Sequence, residues 1–156
     1  MPVEPILHVV LVQPEIPQNT GTTARLCAAT ATRLHLVGPL GFSLEDRHLR
    51  RAGLDYWPNV DLAVHADWQS FCLEHPRAPL WLFSARASRS YTDVRYRPGD
   101  FLVFGGETRG LPIELLAEKG DRALRIPMRG TAVRSLNLAN AAAIAAYEAL
   151  RQFGQT

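Results

Sequence analysis

The chain has 156 residues, 47% of them hydrophobic, which suits one domain with a single core and argues against a disordered protein. The formal net charge is only +2, and Lys119 is the one lysine among 17 basic residues, which leaves 16 arginines. Arginine suits phosphate and base contacts, but a GC-rich genome also favours arginine codons, so composition alone leaves nucleic-acid binding undecided. We expect one domain over residues 1–156.

Membrane and secreted classes are disfavoured by two local features. No apolar run approaches the roughly 18 residues of a membrane-spanning helix, and residues 1–5 lack the basic start and cleavage site of a signal peptide. The only two cysteines, Cys27 and Cys72, stand among apolar residues, and we interpret them as buried free thiols of a reducing compartment. The five histidines lack the spacing of metal ligands, so we expect no bound metal. Together with the thiols and the two local features above, this predicts a cytoplasmic protein with no membrane partner.

Apolar segments that alternate with helical patterns predict an α/β fold, in which helices flank a mostly parallel sheet. Strands are expected at residues 6–12, 34–37, 60–64, 80–84, 101–104 and 123–126. Helices are expected at about 19–31, 44–52, 67–74, 112–120 and 138–153. Asn19-Thr20 is expected to cap the first helix and Asp67 the third, while Pro112 suits a first helical position. Residues 88–100 and 127–136 are expected to form irregular loops.

The last predicted helix is rich in alanine and has few polar residues on any face. A helix that is apolar nearly all round is normally buried. Because so small a domain offers little protein to surround it, we expect this helix to form the interface of a homodimer. Burial of the helix inside its own domain is the alternative.

A glycine loop, residues 105–110, follows the fifth predicted strand. Closely spaced glycines let backbone N–H groups approach a ligand. The loop is half of a phosphate-binding P-loop, but Leu111-Pro112 replaces the lysine and hydroxyl residue, and the dinucleotide pattern G-x-G-x-x-G is absent. A nucleotide hydrolase is thereby weakened, whereas a structural turn with no ligand remains open.

Polar residues near the predicted helix starts form two further groups. Asn19 and Arg25 belong to the first helix region, and Ser135 and Asn137 precede the last helix. Each group has an ordinary explanation, since Asn and Ser are common helix caps and an arginine is often a surface charge. Extra Asn and Ser side chains beside an alanine-rich segment nevertheless invite a ligand.

A basic stretch, Arg47-His48-Leu49-Arg50-Arg51, comes shortly before Tyr56 and Trp57. Such a run is usually the solvated face of a helix. Arginines next to aromatic rings also suit RNA phosphates and unstacked bases, so both interpretations stay open.

Taken together and in this order, these segments resemble the SPOUT class of methyltransferases, in its TrmH/YibK-like group, over nearly the whole chain. Residues 13–28 are similar to its first motif, 104–111 to its second, and 126–128 with 135–140 to its third. Residues 49–56 resemble a stretch typical of the YibK/TrmL subgroup, which methylates the ribose 2′-hydroxyl of the tRNA wobble nucleotide, C or modified U at position 34. The resemblance implies a single SPOUT domain with a C-terminal trefoil knot, and S-adenosyl-L-methionine as cofactor.

The resemblance also implies which residues form the site. Cofactor contacts are expected from Phe83, Gly105, Glu107, Gly110, Ile126, Met128, Ser135 and Leu136. Catalytic roles are expected for Arg25, Asn19, Ser135 and Asn137. We expect Arg25 to orient the ribose or to stabilise developing alkoxide charge, because arginine almost never gives up its proton.

The implied partner is the anticodon stem-loop of tRNA, bound across a homodimer because one subunit offers little surface. RNA contacts are expected from Arg50, Arg51, Arg89 and Arg95. Two alternatives stay open: methylation of ribosomal RNA by a SPOUT relative, and a non-catalytic RNA-binding module that retains the fold.

Overall fold

The structure, a computed structural model, describes residues 4–52 and 57–155. In these described residues, six strands form one sheet: β1 Leu7–Val12, β2 Arg33–Val37, β3 Leu62–His65, β4 Leu80–Phe83, β5 Asp100–Gly105 and β6 Ala123–Leu124. Within the same described ranges, five α-helices accompany them: α1 Pro17–Thr30, α2 Arg47–Ala52, α3 Trp68–Glu74, α4 Ile113–Glu118 and α5 Leu138–Gln152. The strand order is β3-β2-β1-β5-β4-β6, and every pairing is parallel, which confirms the predicted α/β class.

Helices cover both faces of the sheet, as a parallel sheet requires. All six residues of β1 are buried, so its sequence is continuously apolar apart from His8. On one face, Val9 and Leu11 belong to a core cluster with side chains of α1 and α5. On the other face, Val10 and Val12 belong to a cluster with side chains of α3 and α4. The two faces therefore have separate cores.

Three helix starts differ from the prediction. The second helix begins at Arg47 and not at residue 44, because the Asp46 carboxylate accepts a hydrogen bond of 2.8 Å from the backbone N–H of His48. The first helix begins at Pro17 and not at Asn19-Thr20, because proline is preorganised for the first turn and needs no hydrogen-bond acceptor there. Pro112 is the cap residue before α4, which ends at Glu118 instead of reaching Gly120. The cap of α3 is confirmed, since the Asp67 side chain accepts a hydrogen bond of 2.8 Å from the backbone N–H of Ser70.

The alanines of α5 pack mainly within the domain. Ala142, Ala145, Ala146 and Ala149 are completely buried in the core beside α1. Burial inside the domain, the alternative explanation of the alanine-rich pattern, therefore accounts for one face of this helix. A second face remains exposed and carries Ile144 and Tyr147, which are 36% and 49% accessible.

Both cysteines are free thiols, as expected. Cys27 is buried, and burial raises the pKa of its thiol to about 12, whereas Cys72 is only partly covered. None of the helices in the described ranges has both the length and the apolar character needed to cross a membrane. The expected trefoil knot stays a prediction.

Candidate active site

A cavity of about 670 Å³ lies at the carboxyl ends of β4 and β5 and is closed by the segment that follows β6. This edge is where open parallel sheets bind ligands, and the volume suits a small molecule. All eight residues expected to contact the cofactor line it: Phe83, Gly105, Glu107, Gly110, Ile126, Met128, Ser135 and Leu136. Asn19 and Asn137 line it as well. Tertiary structure has thus gathered three separate motifs around one space.

The glycine loop forms one wall of the cavity through a closed turn. The backbone N–H of Gly110 donates to the carbonyl of Gly106 at 2.9 Å, and Gly110 has a φ of 66°. A Cβ at Gly105 would lie 2.0 Å from the carbonyl carbon of Gly110, so the turn closes only with glycine there. The glycines therefore allow the tight turn that forms this wall of the cavity.

Glu107 ties this loop to the start of α1. Its carboxylate accepts hydrogen bonds from the backbone N–H groups of Glu15 and Ile16, at 2.7 and 2.9 Å. The side-chain amide of Asn19 donates a third, at 3.1 Å. A carboxylate is favoured at a helix N-terminus, where N–H groups lack partners and the helix dipole is positive. The Glu107 side chain thus holds the first and second motifs together. Glu107 is also one of the residues that line the cavity.

Glu15 makes the reciprocal contact and was missed by the sequence reasoning. Its carboxylate accepts from the backbone N–H of Thr108 at 3.0 Å. The pKa of Glu15 is lowered by that N–H and by the Thr108 hydroxyl, and the charge of Arg109 adds to the effect. Two acidic residues therefore cross between the same two segments. The position of Glu15 within the first motif was the signal that could have pointed to this contact.

Asn137 joins the third motif to this network. Its side-chain amide donates to the side-chain oxygen of Asn19 at 2.9 Å. Its own side-chain oxygen accepts from the backbone N–H of Asn140 at 3.1 Å and so caps α5. Asn137 is therefore the cap of α5. Ser135, the other candidate for that cap, is exposed and lines the cavity. The Glu107–Asn19–Asn137 network connects all three motifs.

The segment after β6 supplies the opposite wall and has the right chemistry for a nucleoside-type cofactor. Within residues 4–52 and 57–155, no backbone–backbone hydrogen bond involves residues 126–136, so their N–H and C=O groups can bind a ligand. Ile126, Met128 and Leu136 add apolar side chains, and Phe83 stacks on Phe104 at the base of the cavity. Apolar walls with a few polar groups are typical of such pockets, so the residues fit S-adenosyl-L-methionine.

Three residues after β4 also line the cavity, although the sequence reasoning passed over them. They are Ser84, Ala85 and Arg86. The signal was present in the pattern, because residues that directly follow a parallel strand face the ligand-binding edge.

Arg25 is separate from the cavity wall. It lies on the exposed surface of α1 and is absent from the lining of the cavity as described. Its predicted catalytic role therefore depends on a substrate that extends from the cavity over α1.

The four arginines expected to bind RNA are exposed but fall into two groups. Arg50 and Arg51 lie on α2, after β2, whereas Arg89 and Arg95 follow β4, and two strands separate β2 from β4 in the sheet. The structure does not bring them into one cluster. Residues 53–56, which end the stretch 49–56 and include Tyr56, lie outside the described residues.

Part of each group is engaged within the protein. Arg50 donates to the carbonyl of Leu44 at 3.0 Å, and its guanidinium lies 5.3 Å from the ring centre of Trp57. Arg89 donates to the carbonyl of Asp121. These contacts fix the two guanidinium groups but leave their other N–H donors for a ligand.

A family match accompanies this fold and cavity. The sequence profile of the SpoU rRNA methylase family matches residues 6–147, and the chain belongs to this family.

Individual relatives are more specific. A tRNA (cytidine(34)-2′-O)-methyltransferase of Saccharophagus degradans is 48% identical over 150 residues, covering 96% of this chain and 97% of that protein. The enzyme of the same name from Burkholderia ambifaria is 47% identical over 152 residues, with 96% and 97% covered. A solved structure described as giving insights into 2-OH methylation of C/U34 on tRNA superposes with a TM-score of 0.91 at 52% identity, covering 97% of this chain and 99% of that chain.

An AdoMet-bound rRNA methyltransferase from Sinorhizobium meliloti is more distant. It superposes with a TM-score of 0.78 at 28% identity, and the match covers 96% of this chain but only 57% of the Sinorhizobium chain.

Proposed function

We propose that this chain transfers a methyl group from S-adenosyl-L-methionine to the ribose 2′-hydroxyl of the tRNA wobble nucleotide, C or modified U at position 34. The observation that carries the proposal is near-complete mutual coverage at about half identity with tRNA (cytidine(34)-2′-O)-methyltransferases. The rRNA methyltransferase is less similar and much longer, which favours tRNA over ribosomal RNA. The cavity supports an enzyme over a non-catalytic module, because the three motifs converge on it.

The cofactor occupies the cavity in this proposal. Bound there, it supplies a methyl group already activated on a sulfonium. The backbone of residues 105–110 and 126–136 binds its polar groups, and Ile126, Met128 and Leu136 enclose its apolar parts. Phe83 supports this enclosure from the end of β4. Ser135, exposed at the cavity, offers a hydroxyl to the cofactor or the ribose.

The protein must then align the ribose 2′-hydroxyl and stabilise the charge that develops as its proton leaves. We assign the alignment and charge stabilisation to Arg25, whose guanidinium donates hydrogen bonds in a fixed fork. Asn19 and Asn137 are positioning residues, because their amides already bind Glu107 and each other.

The anticodon stem-loop binds over the exposed arginines in this proposal. Arg50 and Arg51 serve one region, and Arg89 and Arg95 another. Because these two groups follow separated strands, a homodimer is a natural way for one RNA to reach residues of both kinds. The dimer forms through the exposed face of α5 that carries Ile144 and Tyr147. The two free thiols support a reducing, cytoplasmic location.

The decisive experiment incubates the purified protein with isotopically labelled S-adenosyl-L-methionine and total tRNA, followed by nucleoside mass spectrometry. We expect 2′-O-methylcytidine or a modified 2′-O-methyluridine at position 34. A parallel reaction with ribosomal RNA is the control. Label in ribosomal RNA alone, or cofactor binding without transfer to either RNA, would overturn the proposal.

A further inference from the structure

Four of the five histidines converge on the face of the sheet opposite α1 and α5. His8 lies on β1, His35 on β2 and His65 on β3, while His75 directly follows α3. The parallel register brings the three strand histidines together. His35 pairs with Val10, two residues after His8, and His65 pairs with Val37, two residues after His35. Neither the cavity described above nor the proposed methyl transfer uses any of them.

Hydrogen bonds link three of these histidines, His8, His35 and His65, into a line that ends at a carboxylate. His8 Nδ1 lies 2.9 Å from His35 Nε2, and His35 Nδ1 lies 3.0 Å from His65 Nε2. His65 Nδ1 lies 3.1 Å from a carboxylate oxygen of Glu74, whose side chain reaches solvent. His8, His35 and His65 are buried, and His75 is partly exposed. Placing so many polar rings in an apolar core is costly unless their nitrogens have partners.

We propose that His35, His65 and His75 form a binding site for one divalent transition-metal ion, of which Zn²⁺ is the probe of choice. Each of the three offers one ring nitrogen, and the three nitrogens all lie within 4.8 Å of one another. Tetrahedral zinc with nitrogen bonds of roughly 2.0–2.1 Å sets neighbouring nitrogens about 3.3 Å apart. The 3.0 Å between His35 Nδ1 and His65 Nε2 has to open by only a few tenths of an ångström.

The outer partners of the two buried ligands support this assignment. A metal-binding histidine usually passes its second nitrogen to a carboxylate or another acceptor, which fixes the ring and its tautomer. Glu74 takes that place for His65, and His8 takes it for His35. With Nδ1–H of His65 turned to Glu74, its Nε2 carries a free lone pair and faces His35 Nδ1. His35 binds the ion once its proton moves from Nδ1 to Nε2, where His8 Nδ1 accepts it at 2.9 Å, and once both rings turn so that their lone pairs converge on the ion.

The surroundings suit a metal as well. Phe71 and Phe101 pack edge-on or tilted against His35 and restrict its motion. His75 borders a shallow surface cavity, which gives an ion a route from solvent and leaves room for water as the fourth ligand.

The test uses untagged protein stripped with EDTA and titrated with zinc sulfate by calorimetry, with bound metal counted by mass spectrometry. We expect one Zn²⁺ per chain and a higher melting temperature when it is bound, because the ion joins β2, β3 and the end of α3. His75→Ala should lower the affinity at least tenfold while its circular dichroism spectrum stays unchanged, since this ring is partly exposed. Glu74→Gln should lower the affinity by about 10–100-fold, the usual effect of losing an outer partner.

His48→Ala is the matched control, because His48 is exposed on α2 and outside the cluster. Its zinc affinity should equal that of the unaltered protein. The proposal is overturned if zinc does not bind at one ion per chain, or if His75→Ala binds zinc as tightly as the unaltered protein. Equal losses in His48→Ala and His75→Ala would also overturn it. In each of these cases the histidines form a hydrogen-bonded chain and nothing more.

Discussion

The side-chain amide of Asn137 donates to the side-chain oxygen of Asn19 at 2.9 Å, across 118 positions of sequence. Because Asn19 also donates to Glu107, this one contact completes the connection between α1, the glycine loop and the start of α5. Asn137 has a second task, since its oxygen caps α5. Substitutions can separate the two tasks.

Asn137→Ser retains an oxygen that can cap α5 but loses the amide that reaches Asn19. We expect near-normal thermal stability and a several-fold weaker affinity for S-adenosyl-L-methionine, because the cavity walls are less firmly joined. Asn137→Ala loses both contacts and should cost about 1 kcal/mol in the free energy of unfolding as well, the usual value of a lost cap. Chemical denaturation and cofactor titration measure the two effects. Equal stability losses in both variants would contradict the division.

Glu107→Gln tests the carboxylate that serves three donors. A glutamine oxygen cannot accept from Glu15, Ile16 and Asn19 with the same geometry, and its amide turns a donor towards N–H groups. We expect a lower melting temperature together with weaker cofactor binding. Glu114→Gln, exposed in the first turn of α4, is the control and should behave as the unaltered protein. A Glu107→Gln protein with unchanged cofactor affinity would show that cofactor binding does not need the three hydrogen bonds of the Glu107 carboxylate.

Arg25→Ala and Arg25→Lys test the catalytic assignment. Losing the guanidinium should lower kcat/KM with tRNA on the order of 100-fold, by analogy with the loss of other charge-stabilising donors. The affinity for the cofactor should hardly change, because Arg25 lies outside the cavity wall. Melting curves check the fold, and Arg77→Ala, in the loop after α3, is the charge-matched control. Near-normal turnover of either variant on saturating tRNA would rule out the role.

The arginines of α2 should contribute to RNA affinity. Arg51→Ala is expected to weaken tRNA binding and to reduce the slope of log affinity against log salt by about 1, which corresponds to one lost phosphate contact. Arg50→Ala should add a loss of stability, because Arg50 also holds Leu44 and lies over Trp57. Filter binding over a series of salt concentrations measures the slope. If the variant that combines Arg50→Ala and Arg51→Ala binds tRNA as the unaltered protein does at moderate salt, RNA binds elsewhere.

The exposed face of α5 should carry the dimer. Tyr147→Glu combined with Ile144→Glu places two charges on that face, and a charge buried without a partner disfavours association. We expect a dimer in the unaltered protein and a folded monomer in the double variant, as measured by analytical ultracentrifugation. Leu73→Glu, on a residue of α3 that is 76% exposed, is the control. A double variant that still sediments as a dimer would place the interface on another surface.

Much of the architecture could be predicted from local patterns. Continuous apolar runs indicated the buried strands. Asp67 was recognised as a cap, and Asn137 as one of two candidates beside Ser135, because capping chemistry is local. The start of α1 was misplaced, since Asn19 has the side chain of a cap but uses it for Glu107, 88 positions away. A cap pattern cannot reveal a competing partner that is distant in sequence.

The histidines show the same limit more sharply. Their spacing along the chain excluded a metal site, and by local criteria that conclusion was sound. A parallel sheet, however, places residues from successive strands side by side with some 27 to 30 positions between them, as for His8, His35 and His65. The residues themselves fixed the elements, the motifs and the family resemblance, because those depend on composition and short-range order. Strand register and packing alone decided which side chains meet, since contact across a sheet depends on distances that no local pattern encodes.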